Sequence, residues 1–419
     1  MTGTAVVTGL GVVAPNGLGA EQFWAATRAG RSGLGPISRF DAADYPVRFA
    51  GEVRDFVARD HVPGRLIPQT DHWTHLGLAA ADMALRDAAV DPGTVGEYEM
   101  AVVTASSSGG TEFGQREIER LWSKGPGWVG AYQSIAWFYA ATTGQISIRH
   151  GMRGPCGVLA AEQAGALDAL GQARRLSRRG ATVVIGGGVD ASLCPYGLTA
   201  QLSTGLLSTW ADVTTAYAPF DEDARGYLPG EGGAMFVVED AAAAAARGAR
   251  AYGVLAGHAA TFDPPPGSAR PPTLERAIRA ALADADLRPA DVDVVFADAA
   301  GWPAADRAEA SALAAVFGPG EVPVTAPKTM TGRAYAGATM DVAAALLALR
   351  DQVIPPTVGV RSVVPDYRLD LVRDRARPAR LRHALVLARG HGGFNSALVV
   401  SAAGPVTRQG PSGGRHGGN

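Results

Sequence analysis

One polar side chain lies where the sequence predicts a bend between a strand and a helix, and this position is the one best suited to a reactive group in the chain. Gln163 follows a short apolar run and precedes a stretch of small residues that predicts a helix. The N-terminus of a helix stabilises negative charge and lowers the pKa of a thiol, so a nucleophile would normally occupy such a bend. An amide is not a nucleophile. The segment therefore predicts a site that presents one side chain without the means for covalent chemistry.

The segment around Gln163 resembles a known family. The run 161–165 (Ala-Glu-Gln-Ala-Gly) is similar to the nucleophile turn of the β-ketoacyl synthases, in the version found in chain-length factors, the ketosynthase beta subunits of bacterial type II polyketide synthases. Active ketosynthases have Cys where this chain has Gln163. The resemblance extends from Val6 to about Val400. It implies an α/β protein of thiolase-like fold, in which two pseudo-duplicated halves form α-β-α-β-α layers.

Two further catalytic positions differ from the family in the same way. Ketosynthases condense thioesters with a Cys, two His and a supporting Lys. By resemblance, the first His corresponds to Asp298, with Asp306 eight residues later, and the second to Arg333, five residues after the retained Lys328. A carboxylate repels a developing enolate, and Arg cannot accept a proton at neutral pH. We predict that Asp298 and Arg333 instead form an ion pair that fills the pocket.

Other candidate groups offer weaker chemistry. Cys156 precedes Gln163 by seven residues, outside the bend, and is expected to be a small buried hydrophobe. His391 stands where the family has a gating Phe, and no nucleophile remains for it to serve. The segment 6–14 matches the G-x-G-x-x-A dinucleotide fingerprint, but Pro15 prevents the helix that such a site requires. We expect neither a cofactor nor a metal.

Composition narrows the class of protein. The chain has 419 residues, 47% of them hydrophobic, and a formal net charge of −2. It can bury a large core, and a nucleic-acid-binding role is not expected. There are only two cysteines, which fits a reducing compartment. No apolar run reaches the length of a membrane span, and no signal region precedes the first predicted strand, so we expect a soluble, cytoplasmic protein.

Predicted strands and helices alternate along both halves of the chain. In the first half, helices are predicted over 111–122, 135–150 and 163–179, and a strand over 181–185 is expected to end in a tight turn at the glycines 186–188. The same alternation recurs after the alanine run 241–246. We therefore expect parallel sheets covered by helices, with an N-terminal half over 1–245, a C-terminal half over 246–403 and a disordered tail over 404–419.

A chain with this fold that lacks the catalytic groups is expected to act as a partner. The resemblance implies a heterodimer with a catalytic ketosynthase alpha subunit, an acyl carrier protein that docks on the complex, and a tunnel for the growing poly-β-ketone at the interface. It also implies that Thr111, Gly114 and Ile118, which share a helical face, form the tunnel gate. Because these residues are small or medium, we predict a deep tunnel and a long product; ordinary packing at helical spacing is the other interpretation.

Two other functions remain open at this point. One is a Gln-dependent decarboxylase that primes chains from malonyl-carrier protein. Domains of that kind resemble active ketosynthases in keeping both His residues, whereas this chain has Asp298 and Arg333. The other is an independent binding protein of thiolase fold, which a stable monomer without an alpha partner would favour.

Overall fold

The computed structural model describes residues 3–265 and 267–403, in which helices and strands alternate. The helices are α1 (Ala20–Arg28), α2 (Ala58–His61), α3 (His72–Asp87), α4 (Thr111–Lys124), α5 (Gln133–Ala136), α6 (Ala141–His150), α7 (Glu162–Arg178), α8 (Pro195–Leu202), α9 (Ala241–Ala246), α10 (Leu274–Asp284), α11 (Pro303–Phe317) and α12 (Ala338–Asp351). The strands are β1 (Ala5–Ala14), β2 (Gly17–Leu18), β3 (Leu34–Pro36), β4 (Phe49–Gly51), β5 (Met100–Ala105), β6 (Cys156–Leu159), β7 (Val183–Ala191), β8 (Glu231–Asp240), β9 (Gly253–Phe262), β10 (Val294–Phe296), β11 (Pro323–Thr325), β12 (Val353–Ile354), β13 (Asp370–Leu371), β14 (Arg377–Pro378), β15 (His383–Gly390) and β16 (Phe394–Ala402).

The two halves of the chain repeat one strand order. Hydrogen-bonded neighbours run β6-β5-β7-β8-β1 in the first half and β11-β10-β15-β16-β9 in the second, so each half places its five main strands in the same order. The halves join where β1 pairs with β9 at two positions, Val6 with Val254 and Val7 with Gly253. The pseudo-duplication implied by the resemblance is therefore present. The boundary at residue 245 stays a prediction.

The sheets are mixed, so the prediction of parallel sheets was wrong for part of each half. The pairs β5–β6, β5–β7, β10–β11 and β10–β15 are parallel, whereas β7–β8, β8–β1, β15–β16 and β16–β9 are antiparallel. The physical reason is clearest at β15 and β16, which only three residues connect. A connection of that length can join antiparallel strands but is too short for a parallel crossover.

The halves enclose a central helical layer. Helix α7 packs on β5 and β7 of the first half and on β9, β15 and β16 of the second, and α12 packs against α7, β8 and β15. Residues 338–349 of α12 are buried on every face, as expected for an apolar helix between two sheets. Helix α3 covers β1 and β8 on one outer side, and α10 covers β9 and β16 on the other. The result is the layered α-β-α-β-α architecture of the thiolase-like fold.

The glycines 186–188 lie inside β7, so the predicted tight turn was wrong. A Cβ on Gly186 would come within 2.8 Å of the Ala173 Cβ in α7. Gly187 has a φ of +148°, and a Cβ there would lie 2.3 Å from the carbonyl oxygen of Ala234 in β8. The glycines therefore let a helix and a neighbouring strand approach β7 closely, and they make no loop.

Close packing also explains the glycines of β1. A Cβ on Gly9 or Gly11 would lie about 2 Å from a carbonyl oxygen of α3, at 2.1 Å from Ala84 and 1.9 Å from Ala80. The strand continues through both glycines, with a shift in its register against β8 between Val7 and Gly9, so the segment that matched a dinucleotide fingerprint is a buried strand under α3.

The helix predicted over 135–150 is broken into α5 and α6 because the Trp137 carbonyl accepts a hydrogen bond from Gly110 N at 3.1 Å, which draws it out of the helical pattern. The alanine run 241–246 forms α9, whose N-terminus is capped by Asp240 and which connects β8 of the first half to β9 of the second. The tail over 404–419, predicted to be disordered, lies outside the described residues.

Candidate functional site

Gln163 is the second residue of α7, directly after the bend that follows β6. Its side chain is 2% exposed, and its Nε2 donates a hydrogen bond to the carbonyl of Ala334. Glu162 precedes it with a φ of +51°, an unfavourable conformation for a non-glycine residue that marks the sharp turn from strand to helix. The turn is kept, as the sequence predicted. The Gln163 amide, however, is buried and is hydrogen-bonded within the protein.

Asp298 and Arg333 form the predicted ion pair. The Arg333 Nη2 lies 3.0 Å from Asp298 Oδ1, and Nη1 donates to the Asp298 carbonyl at 2.9 Å. Asp298 is fully buried and Arg333 is 6% exposed. Burial by itself would raise the pKa of Asp298, but the Arg333 guanidinium, and after it the Lys328 ammonium, hold that pKa below its usual range. Both side chains are therefore charged and neutralise each other.

Backbone groups complete the coordination of this pair. Asp298 Oδ1 accepts a hydrogen bond from Arg389 N at 2.8 Å, and Arg333 Nη2 donates to the Arg389 carbonyl at 2.7 Å. The pair thus ties the loop after β10, the segment before α12 and the end of β15 together. The Asp298 carboxylate and the Arg333 guanidinium are engaged in these contacts and are not placed to hydrogen-bond an enolate.

Two carboxylates on α11 hold the loop that carries Asp298. Glu309 accepts from Asp298 N at 2.7 Å and from Ala299 N at 2.9 Å. Asp306 accepts from Gly301 N at 3.0 Å, and burial raises its pKa to about 7. Glu309 was not among the residues predicted from the sequence. A signal was available, because two acidic residues three apart on an alanine-rich helix face one side of it.

Lys328 forms a separate ion pair with Asp341. Its Nζ lies 2.9 Å from Asp341 Oδ2 in α12, and both side chains are buried. Burial raises the pKa of Asp341, and the charge of Lys328 opposes that rise. The retained Lys therefore fastens the segment before α12 to the helix itself.

A cavity of about 220 Å³ leads from the surface to the ion pair. Its walls include Tyr227 and Trp302, and its inner end reaches Asp298 and Arg333 but not Gln163. The loop at the mouth of the cavity contains His391, which is exposed. Its backbone N–H donates a hydrogen bond to the Glu162 carboxylate. The residues that line this cavity include no thiol and only one imidazole, that of His391, so the cavity lacks the thiol and the pair of imidazoles of a condensing site.

Cys156 differs from its prediction. It begins β6 and is exposed, so it is not the buried hydrophobe that the sequence suggested. The reason is that β6 is the last strand of its sheet and has one open edge. Partial burial raises the pKa of its thiol, which disfavours the reactive thiolate.

The three predicted gate positions lie on α4, in different surroundings. Thr111 is the first residue of the helix and is buried, Gly114 packs against Trp137, and Ile118 is 43% exposed. The first two therefore contact their own subunit, and the third faces the surface. Their role as a gate stays a prediction.

Residues 3–265 and 267–403 contain neither a candidate metal site nor a candidate membrane span. That part of the chain contains no group of three or more His, Cys, Asp or Glu side chains arranged to hold a metal ion. None of its helices combines the length and apolarity needed to cross a bilayer.

Comparison with known proteins assigns the class. The N-terminal domain model of beta-ketoacyl synthases matches residues 4–244, and the C-terminal domain model matches residues 252–361. The chain is 58% identical to the actinorhodin polyketide putative beta-ketoacyl synthase 2 of Streptomyces coelicolor, over 96% of this chain and 100% of the relative. It is 60% identical to the tetracenomycin polyketide synthase ketoacyl synthase beta subunit of Streptomyces glaucescens, over 94% and 97% of the two chains.

Solved structures agree with this assignment. The ishigamide ketosynthase/chain length factor superposes with a TM-score of 0.88 at 28% identity, covering 96% of this chain and 100% of the other. The chain belongs to the beta-ketoacyl synthase family. Within that family it groups with the ketosynthase beta subunits, the chain-length factors of type II polyketide synthases.

Proposed function

We propose that this protein is the non-catalytic chain-length-factor subunit of a type II polyketide synthase. It pairs with a ketosynthase alpha subunit and shapes the tunnel that sets the length of the poly-β-ketone. One observation carries the proposal: an otherwise complete ketosynthase fold has Gln163 at the nucleophile turn and the buried Asp298–Arg333 pair where the two imidazoles would act. Such a chain can shape a cavity but cannot form a thioester.

A partner is supported by the apolar surface around α4, α5 and α6. Large side chains that would be costly to leave in water are exposed there: Ile118, Trp122, Trp128, Ile135, Trp137, Phe138, Tyr139 and Ile148. Monomeric proteins rarely expose a contiguous apolar patch of this kind. Helix α6 packs beside β6, the open edge strand of the sheet, so the patch and the edge form one face. We propose that the alpha subunit covers this face.

The proposal places the chemistry in the partner. The alpha subunit holds the growing chain on its Cys, an acyl carrier protein brings extender units to the complex, and the polyketide grows into a tunnel walled partly by α4. A side chain that projects into a closed tunnel limits product length by exclusion. Thr111, Gly114 and Ile118 are proposed gate positions, and their modest size favours a long product. The compartment proposed is the cytoplasm, where the exposed Cys156 thiol would remain reduced.

Co-expression tests the proposal directly. The chain co-expressed with a ketosynthase alpha subunit and an acyl carrier protein should form a heterodimer that releases polyketides of one defined length. The isolated chain should form no carbon–carbon bond between acyl thioesters. Condensation by the isolated chain would overturn the proposal, as would an alpha subunit that sets the same product length without it.

Enlarging the gate should shorten the product. Thr111→Phe or Gly114→Phe adds an aromatic ring at the N-terminal end of α4, and in the heterodimer each should shift the released polyketides toward shorter chains by one acetate unit or more. Mass spectrometry of the products gives the answer. Glu119→Phe is a suitable control because Glu119 is exposed on the same helix and is not a proposed gate position. Unchanged product length in both gate variants would remove the gate assignment.

The decarboxylase alternative predicts a different result at Gln163. Its amide is buried and bonded to the Ala334 carbonyl, and the cavity does not reach it, so we expect Gln163→Ala to leave carbon dioxide release from malonyl-carrier protein unchanged within about twofold. The assay compares wild-type and variant heterodimers with the same alpha subunit. A loss of release on the order of a hundredfold would favour the decarboxylase.

The independent binding protein is not supported. Relatives that are 58% and 60% identical over nearly the whole chain are named as components of polyketide synthases.

A further inference from the structure

The indole of Trp137 lies directly over Gly114. A Cβ at position 114 would lie 2.6 Å from the indole Cδ1, closer than real Cβ contacts allow, and 3.3 Å from Nε1. Gly114 has ordinary helical geometry, so the backbone does not require glycine there. Glycine inside a helix costs about 1 kcal/mol relative to alanine. The structural reason for Gly114 is therefore room for the indole.

The segment that carries Trp137 is fastened to α4 at both ends. The Trp137 carbonyl accepts from Gly110 N at 3.1 Å, one residue before the helix begins. Further along α4, the buried Glu117 carboxylate accepts from Gly130 N. These contacts fix the loop against the helix, so the position of the indole follows from that of α4.

The indole also reaches the face proposed to meet the partner. Trp137 is 51% exposed, although one side of its ring covers Gly114. Ile118, one turn further along α4, is exposed on the same helix. At the level of Gly114 the helix itself contributes no side chain, and the bulk there comes from the neighbouring loop.

We propose that Trp137 determines polyketide length at this level of the tunnel wall, in place of a side chain at position 114. The inference rests on the proposed function and adds to it a specificity-determining residue outside α4. Gly114 and Trp137 then act together, because the Trp137 indole fills the space that the missing side chain of Gly114 leaves. A larger residue at 114 would push the indole outward, and a smaller residue at 137 would leave a recess in the wall.

A volume exchange tests the proposal in the heterodimer. Trp137→Ala should shift the released polyketides toward longer chains by one acetate unit or more, opposite in direction to Gly114→Phe. The double variant Gly114→Phe, Trp137→Ala should return product length to that of the wild type, since the phenyl ring then fills the recess. Trp210→Ala is the matched control, because this exposed indole stacks on Arg225, outside the apolar face proposed to meet the partner, and should leave length unchanged.

Assembly is measured alongside by size-exclusion chromatography of the co-expressed pair. If Trp137→Ala assembles and its products keep their length, the proposal is wrong. Should that variant fail to assemble, the milder Trp137→Leu decides: products of unchanged length also overturn the proposal. If the products of the double variant stayed shorter or longer than those of the wild type, Gly114 and Trp137 would not share one volume and the proposal would be wrong. A wild-type pair that makes no product of defined length would instead refute the proposed function.

Discussion

Replacing Arg333 by Met is expected to lower the free energy of unfolding by about 3–5 kcal/mol, the largest effect of any single substitution considered for this subunit. The substitution removes the guanidinium but leaves the Asp298 carboxylate in the interior, 3.0 Å from the vacated position. A buried charge without its partner costs several kcal/mol because it has lost its hydration and receives no compensating charge. Urea denaturation of the wild type and variant, followed by tryptophan fluorescence, measures the difference.

A double variant separates the charge from the packing. Replacing both partners, as in Asp298→Leu with Arg333→Met, removes the unpaired carboxylate, and we expect it to recover a large part of the loss. The exposed pair Arg279–Glu275 provides a surface control, since its side chains are 50% and 45% exposed and Arg279→Met should cost about 0–1 kcal/mol. If Arg333→Met cost no more than Arg279→Met, the ion pair would not be what holds this pocket together.

Replacing Val158 by Pro is expected to weaken pairing with the alpha subunit while leaving the subunit folded. The carbonyls of Pro155 and Leu159 accept hydrogen bonds from β5 at 3.0 and 3.1 Å, from Val102 N and Ser106 N. Alternate residues of a strand direct their backbone groups to opposite sides, so the N–H of Val158 points to the open edge. Proline there removes an edge donor and places its ring in the path of an added strand, without breaking the ladder to β5.

The expected weakening is at least about tenfold in the dissociation constant, from the lost hydrogen bond and the steric conflict together. Val158→Ala is the matched control because it shortens the side chain but keeps the N–H. Analytical ultracentrifugation of the co-expressed subunits reports association, and circular dichroism of the separated subunit reports its folding. A proline variant that folds and still associates with wild-type affinity would show that the alpha subunit does not pair along this edge.

Much of the fold and of the pocket chemistry could be predicted from the sequence. Helix α7 begins one residue from its predicted start, because a run of small residues after a bend has few other conformations. The Asp298–Arg333 pair was predicted because the family resemblance places both residues in one pocket, where buried opposite charges are expected to pair. Both predictions depend on residues near one another in sequence or on motifs with fixed spacing.

Contacts between distant segments could not be predicted in this way. The sequence does not show that Gly186 meets α7, that Glu309 holds the Asp298 loop, or that Gly114 lies under Trp137. Each depends on how close two elements come after folding, and a difference of an ångström decides whether a side chain fits. The same holds for Cys156, whose exposure follows from the edge position of β6.

The sequence by itself determined which side chains occupy the nucleophile turn and the pocket, because chemistry depends on residue type: the Gln163 amide cannot form a thioester, and Asp298 and Arg333 carry opposite charges. The tertiary structure alone decided the shape. Which strands run antiparallel, which edge stays open and which ring covers Gly114 follow from distances between segments far apart in the chain. Those distances are set by the packing of the whole core, and no local pattern of residues encodes them.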